Sequence, residues 1–231
     1  ETTDEASINS ATNGSNPENG DLVSSWNDIG SQSMAKVIVS STGGLRPTYI
    51  TDGINGIPSL QFNGSQYLFS AAASGGNIPL NAGATNFTFI AVWKKTNISS
   101  GAILDQNNTT NINSNRAGLV ATSTGTYGFV GNFNDFWNTA PYSLNRNMAA
   151  IVTVNNSGTV KIYDNISTYT GTITPTTLIS NKVFNIGARA SDQAETFIGQ
   201  ISEIIIFERT LKALEIQDVK SYLAKKYAIN I

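Results

Sequence analysis

The chain contains no cysteine and no histidine in 231 residues, and charged side chains make up only 13% of it. Each shortage removes a class of chemistry. Without histidine or cysteine there is no Ser-His-Asp triad, no thiol nucleophile and none of the usual zinc ligand sets. Without cysteine no disulfide can staple the fold, which favours a bacterial secreted or surface protein over a secreted eukaryotic domain. A net charge of −2 and a pI of 5.1 leave no basic stripe to displace counterions from a phosphate backbone, so nucleic acid is not expected as a partner. No apolar run reaches the ~18–20 residues that a membrane-spanning helix requires.

The missing charge is replaced by Asn, Ser, Thr and Gly, residues suited to turns and to hydroxyl-bearing strand faces. Hydrophobic residues still make up 40%, enough for a substantial core. The length fits a single all-β domain spanning 1–231. Phe87–Lys94 (FTFIAVWK) is the clearest strand: Phe87, Phe89, Ala91 and Trp93 share one face, Thr88, Ile90 and Val92 the other. Apolar side chains on both faces predict a central strand buried on both sides. Further short strands are expected at Val37–Ser41, Ala102–Leu104, Gly118–Ala121, Tyr127–Val130, Ala149–Val154, Thr159–Tyr163, Phe184–Ile186 and Ile201–Phe207. Asp52-Gly53, Asn63-Gly64 and Asn155–Gly158 supply turns. Such spacing specifies a sandwich or barrel.

Two segments depart from that pattern. Residues 1–25 are polar and turn-rich and read as a surface arm, opening at Glu1 as though a preceding segment had been removed. Residues 210–227 switch to helical period, with Leu211, Leu214, Val219, Tyr222, Leu223 and Tyr227 on one stripe, Thr210 as N-cap and Lys225-Lys226 in the last turn.

Several phrases are shared with a known family. Trp26-Asn27-Asp28-Ile29-Gly30, Pro47-Thr48-Tyr49, Gly53–Gly64 (GINGIPSLQFNG), Phe87–Val92, Phe197–Phe207 (FIGQISEIIIF) and Tyr222–Tyr227 (YLAKKY) resemble the opening, middle and closing motifs of laminin-G-like, concanavalin A-like lectin domains. The resemblance reaches both ends of the chain. It implies an all-β fold, a two-sheet antiparallel jelly-roll sandwich with one short C-terminal helix, and a function in binding rather than catalysis. ETTDEASI at the start and YLAKKYAINI at the end are also similar to bacterial proteins whose sandwich follows a type IV prepilin helix.

Candidate sites fall in the two longest strand-free stretches, 105–117 and 131–147. Asn134, Asp135, Phe136, Trp137 and, nearby, Tyr142 place aromatic faces beside amide and carboxylate groups, the combination that binds a sugar by its C–H face and its hydroxyls. The competing assignment makes Phe136 and Trp137 the loop's own hydrophobic anchor. Asp105, Asn107, Asp192 and Glu195 offer hard oxygen ligands, and relatives of the resembling family bind calcium at such rims. The same residues are ordinary turn formers that bond their own backbone. No strand carries the alternating acids a glycosidase cleft needs, and Glu203 and Glu208 lie an odd number of positions apart, hence on opposite faces.

The sequence therefore predicts a non-catalytic, extracellular, bacterial binding or adhesion domain recognising a glycan or cell-surface polysaccharide, with calcium as the one candidate ion. Two alternatives stand beside it: a structural subunit that self-associates in a pilus-like surface filament, and a glycoside hydrolase.

Overall fold

The computed structural model describes residues 8–11, 14, 16–27, 37–40, 43–71, 78–81, 83–108, 116–131, 135–138, 141–174 and 182–231. Two antiparallel sheets stack face to face. The nine-stranded sheet runs, edge to edge, β1 (Ile8–Ser10), β2 (Val23–Asn27), β3 (Val37–Ser40), β6 (Leu68–Ala71), β15 (Lys182–Ile186), β8 (Gly101–Asn108), β9 (Ala117–Ala121), β10 (Tyr127–Val130) and β11 (Asp135–Trp137). The seven-stranded sheet runs β14 (Thr168–Thr172), β13 (Thr159–Asp164), β12 (Asn147–Val154), β7 (Phe87–Lys95), β16 (Ile198–Phe207), β5 (Ile57–Asn63) and β4 (Thr48–Ile54). An α-helix, α1 (Ala213–Tyr227), follows.

The side-chain alternation of β7 explains the layering. Phe87, Phe89, Ala91 and Trp93 enter the core between the sheets, meeting Tyr127, Phe129 and Leu119 from the facing sheet. Ile90 and Val92 point the other way, into a second apolar layer with Ala149, Ile151, Ile216, Leu223 and Tyr227. The helix thus seals the outer face of the seven-stranded sheet, and β7 is buried on both sides, as its sequence predicts. Trp93 and Tyr127 meet edge to face with ring centres 5.0 Å apart.

One polar bond crosses this core. The Tyr127 hydroxyl donates to Asp164 Oδ2, joining β10 of one sheet to β13 of the other, while Asp164 Oδ1 accepts the Ile166 and Ser167 amides at 2.6 and 2.7 Å. Burial and the Asp164 charge push the Tyr127 phenol well above its ordinary range. Tyr127→Phe should cost about 1–3 kcal/mol, because it leaves a buried carboxylate oxygen without its donor; urea unfolding of the variant measures it.

Several local expectations need correction. The 1–25 segment is not only an arm: it supplies β1 and the start of β2, with Ile8 and Val23 buried. The hairpin turn between β4 and β5 is Asn55-Gly56, both at positive φ (51° and 79°), rather than Asp52-Gly53, which lies within β4. Asn55 then donates from Nδ2 to the Tyr227 carbonyl at 2.5 Å, tying the turn to the helix end. The helix begins at Ala213, its first turn held by the Glu215 carboxylate accepting the Lys212 amide at 2.7 Å. Thr210 instead donates to the Val154 carbonyl at 2.6 Å. Ile216 takes the buried stripe and Leu214 is 80% exposed, because positions 216, 223 and 227 keep the period that 214 breaks.

Candidate functional site

Whereas α1 covers the seven-stranded sheet, no helix among the described residues covers the outer side of the nine-stranded sheet; most of its side chains there are buried, and Asp135 and Trp137 on β11 reach solvent. Register identifies the residues on that side. Trp137 pairs with Gly128, Gly128 with Val120 and Val120 with Ala102, forming one cross-strand row. Asp135 pairs with Val130, Val130 with Gly118, Gly118 with Asp105 and Asp105 with Asn185, forming the next. The first row is apolar: Ala102 and Val120, with Val130 of the neighbouring row, form a small cluster on which the half-buried Trp137 packs. Trp137 is seated there because Gly128 has no side chain; a Cβ on Gly128 would lie 2.9 Å from Trp137 Cε3.

The second row leads into an ion-pair network. Asp105 is fully buried, and its Oδ1 accepts from Arg116 Nε at 2.7 Å while Oδ2 accepts the Ala190 amide at 2.8 Å. Arg116 reaches on to Glu195 at 2.8 Å, and Arg189 joins Glu195 at 3.0 Å to Asp192, which it grips with two bonds of 2.8 and 2.7 Å. Gly118 makes room, since a Cβ there would meet Asp105 Oδ1 at 2.4 Å. Burial pushes the Asp105 carboxyl up, against the Arg116 charge and the Ala190 amide, which pull it down. The Arg189 bonds hold Asp192 below the usual carboxylate range. Gln193 and Glu195 both adopt positive φ (57° and 47°), and the Glu195 carbonyl accepts the Ala102 amide at 2.7 Å, so the loop is pinned onto β8 in a conformation that non-glycine residues seldom adopt.

The residues expected to bind a sugar separate into two groups. Asp135 and Trp137 lie two apart on β11, on the open face, with Asp135 exposed. Phe136 points inward and packs against the main core and over Gly171 of β14, closing the sandwich edge. Tyr142 is also a core residue, only 5% exposed, with its ring edge-on to Tyr127 at 5.9 Å. Neither forms part of the open face, because strand alternation and the Gly125–Tyr142 backbone pairing fold them under it. Asn134 lies outside the described residues, as do 109–115 of the expected rim.

The four expected calcium ligands come partly together, but around arginine. Asp192 and Glu195 bond Arg116 and Arg189, Asp105 divides its oxygens between Arg116 and the Ala190 amide, and Asn107 lies buried in β8. No group of three acidic side chains that could hold a metal occurs among the described residues. The acidic oxygens therefore face guanidinium groups in this arrangement. Sequence reading placed Asp105 in a loop because DQNN is turn-like; strand β8 carries it instead, on a face where polar residues are tolerated. Arg116, Arg189 and Asn185 were missed, although arginine is scarce enough here to be conspicuous. Glu203 and Glu208 form no pair: Glu203 lies at the helix, accepting from Tyr222 at 2.5 Å, and Glu208 accepts from Asn81 at 2.5 Å.

These two sheets define a jelly-roll sandwich, and solved structures share it. A SAP-like pentraxin from Limulus polyphemus superposes with a TM-score of 0.52 at 14% identity, covering 70% of this chain and 80% of that one. Domain 4 of an extracellular GH43 arabinanase from Geobacillus stearothermophilus, solved with arabinotriose, gives 0.53 at 17%, covering 75% and 80%. The NanB sialidase of Streptococcus pneumoniae gives 0.53 at 16% over 68% of this chain, which spans only 26% of the sialidase. At these identities the likeness is one of fold. No protein-family model and no curated protein matches the chain.

Proposed function

We propose that this chain is a non-catalytic, laminin-G-like carbohydrate-recognition domain that works at or outside a bacterial cell surface and binds glycan across the open face around Trp137 and Asp135. One observation carries this reading. The helix covers one sheet, whereas the other presents a partly buried tryptophan seated over a glycine, with an exposed carboxylate two residues away on the same strand. A tryptophan face stacks on the C–H side of a sugar ring, and carboxylate oxygens accept its hydroxyls. Phe136 and Tyr142 support this face from beneath, and Asn134 is a candidate by its place in the sequence. The arabinotriose complex of the arabinanase domain shows the same fold used for a saccharide. The cysteine-free, charge-poor composition suits the location, and no helix among the described residues is long and apolar enough to cross a membrane.

This reading does not call on calcium: the carboxylates of Asp105, Asp192 and Glu195 are paired with Arg116 and Arg189. The test is glycan-array capture followed by calorimetry. Trp137→Ala should weaken the best hit by about 2 kcal/mol, roughly thirtyfold in Kd, with an unchanged circular dichroism spectrum and no effect of EDTA on the parent. Unchanged affinity in the variant would move the site elsewhere. Silence across diverse glycans would end the carbohydrate reading.

A further inference from the structure

The chemistry of the open face narrows the ligand beyond "glycan". Among the charged groups on it, four carboxylates (Asp105, Asp135, Asp192, Glu195) stand with two guanidiniums (Arg116, Arg189), so negative charge is in excess. Both guanidiniums are committed to ion pairs, and their side chains are only 7% and 14% exposed, so neither is available to a carboxylated ligand. Asp135 is exposed and makes one long bond, 3.3 Å from the Gly131 amide. It lies on the Trp137 face of β11, where an aromatic plate and a carboxylate flank the same space.

We propose that this face recognises a glycan bearing a free, protonated amine, with the sugar ring on Trp137 and the ammonium against Asp135. The inference rests on the carbohydrate reading above. An ammonium there gains from the aromatic quadrupole and from the carboxylate together. Asp135 has no salt-bridge partner among the described residues; partial burial raises its carboxyl, against the Gly131 amide and the Arg116 charge, which lower it. A uronic or sialic acid would meet the same field with the wrong sign.

The experiment compares four soluble probes by calorimetry at fixed salt: glucosamine oligomer, its N-acetylated counterpart, oligogalacturonate and oligolysine. The glucosamine oligomer should bind at least about tenfold more tightly than the other three. Asp135→Asn should remove that preference, and Trp137→Ala should weaken the glucosamine oligomer. Asp218→Asn, which deletes the same charge from the exposed side of α1, should leave the preference intact and so exclude general attraction to an acidic protein. Equal or tighter binding of the N-acetylated or acidic oligomer overturns the amine inference while keeping the carbohydrate one. Equal binding of oligolysine, or an Asp218→Asn effect as large as that of Asp135→Asn, also overturns it. If no saccharide binds, the functional reading fails with it.

Discussion

Replacing Arg116 by methionine should destabilise the fold by about 3–5 kcal/mol, the cost of leaving one partner of a buried ion pair behind. Asp105 is 0% exposed in its side chain, and Arg116 is its only salt-bridge partner among the described residues. Its other bond, to the Ala190 amide, cannot neutralise a full charge. For a domain of this size the loss corresponds to a fall of roughly 10 °C in Tm. The effect should depend on pH, with a sign that follows from linkage. Without Arg116, burial drives the folded Asp105 further above its unfolded value of ~3.9. Below that unfolded value both states hold the proton and the penalty vanishes. As pH rises through it, the unfolded chain ionises while the folded one resists, so the deficit opens and widens toward neutrality. Arg116→Met should therefore lie close to the parent near pH 4 and far below it at pH 7. Adding Asp105→Asn should recover most of the loss, since the amide oxygen still accepts from Ala190 while the charge is gone. A pH-independent loss would locate the effect in packing.

Gly128→Ala should damage the face and the fold together. The added methyl would sit 2.2 Å from the Phe136 carbonyl oxygen and 2.8 Å from Trp137 Cα, both on the paired strand β11. Neither atom is the free end of a flexible side chain, so β11 must move off β10. Overpacking of this kind costs about 1–3 kcal/mol, and here it also unseats Trp137. Glycan affinity should fall at least as far as in Trp137→Ala, with the Trp137 contribution to fluorescence shifted to the red. Affinity equal to the parent would mean that the seat over Gly128 is irrelevant to binding.

How much of this was legible beforehand depends on which force fixes each part. The β7 alternation and the glycine-punctuated short strands announce two stacked sheets, because burial on a pleated surface repeats every second residue. Ile216 was overlooked for Leu214 because both are apolar and only the exact phase of α1 on the sheet decides between them. The ion network was not legible, because Asp105, Arg116, Arg189 and Glu195 are joined by strand order and not by spacing in the chain. Asp135 and Trp137 lie on the outward side of β11, whereas Phe136 and Tyr142, chosen on the same chemical grounds, turn inward. A three-residue strand in a polar stretch leaves too short an alternation to show which aromatic faces out.

Amide chemical-shift mapping during titration with a glucosamine oligomer tests the main claim most directly. Perturbations should be confined to β9, β10, β11 and the 187–197 loop, with the Trp137 indole N–H moving most. Shifts concentrated on α1 or the seven-stranded sheet, with Trp137 silent, would contradict it.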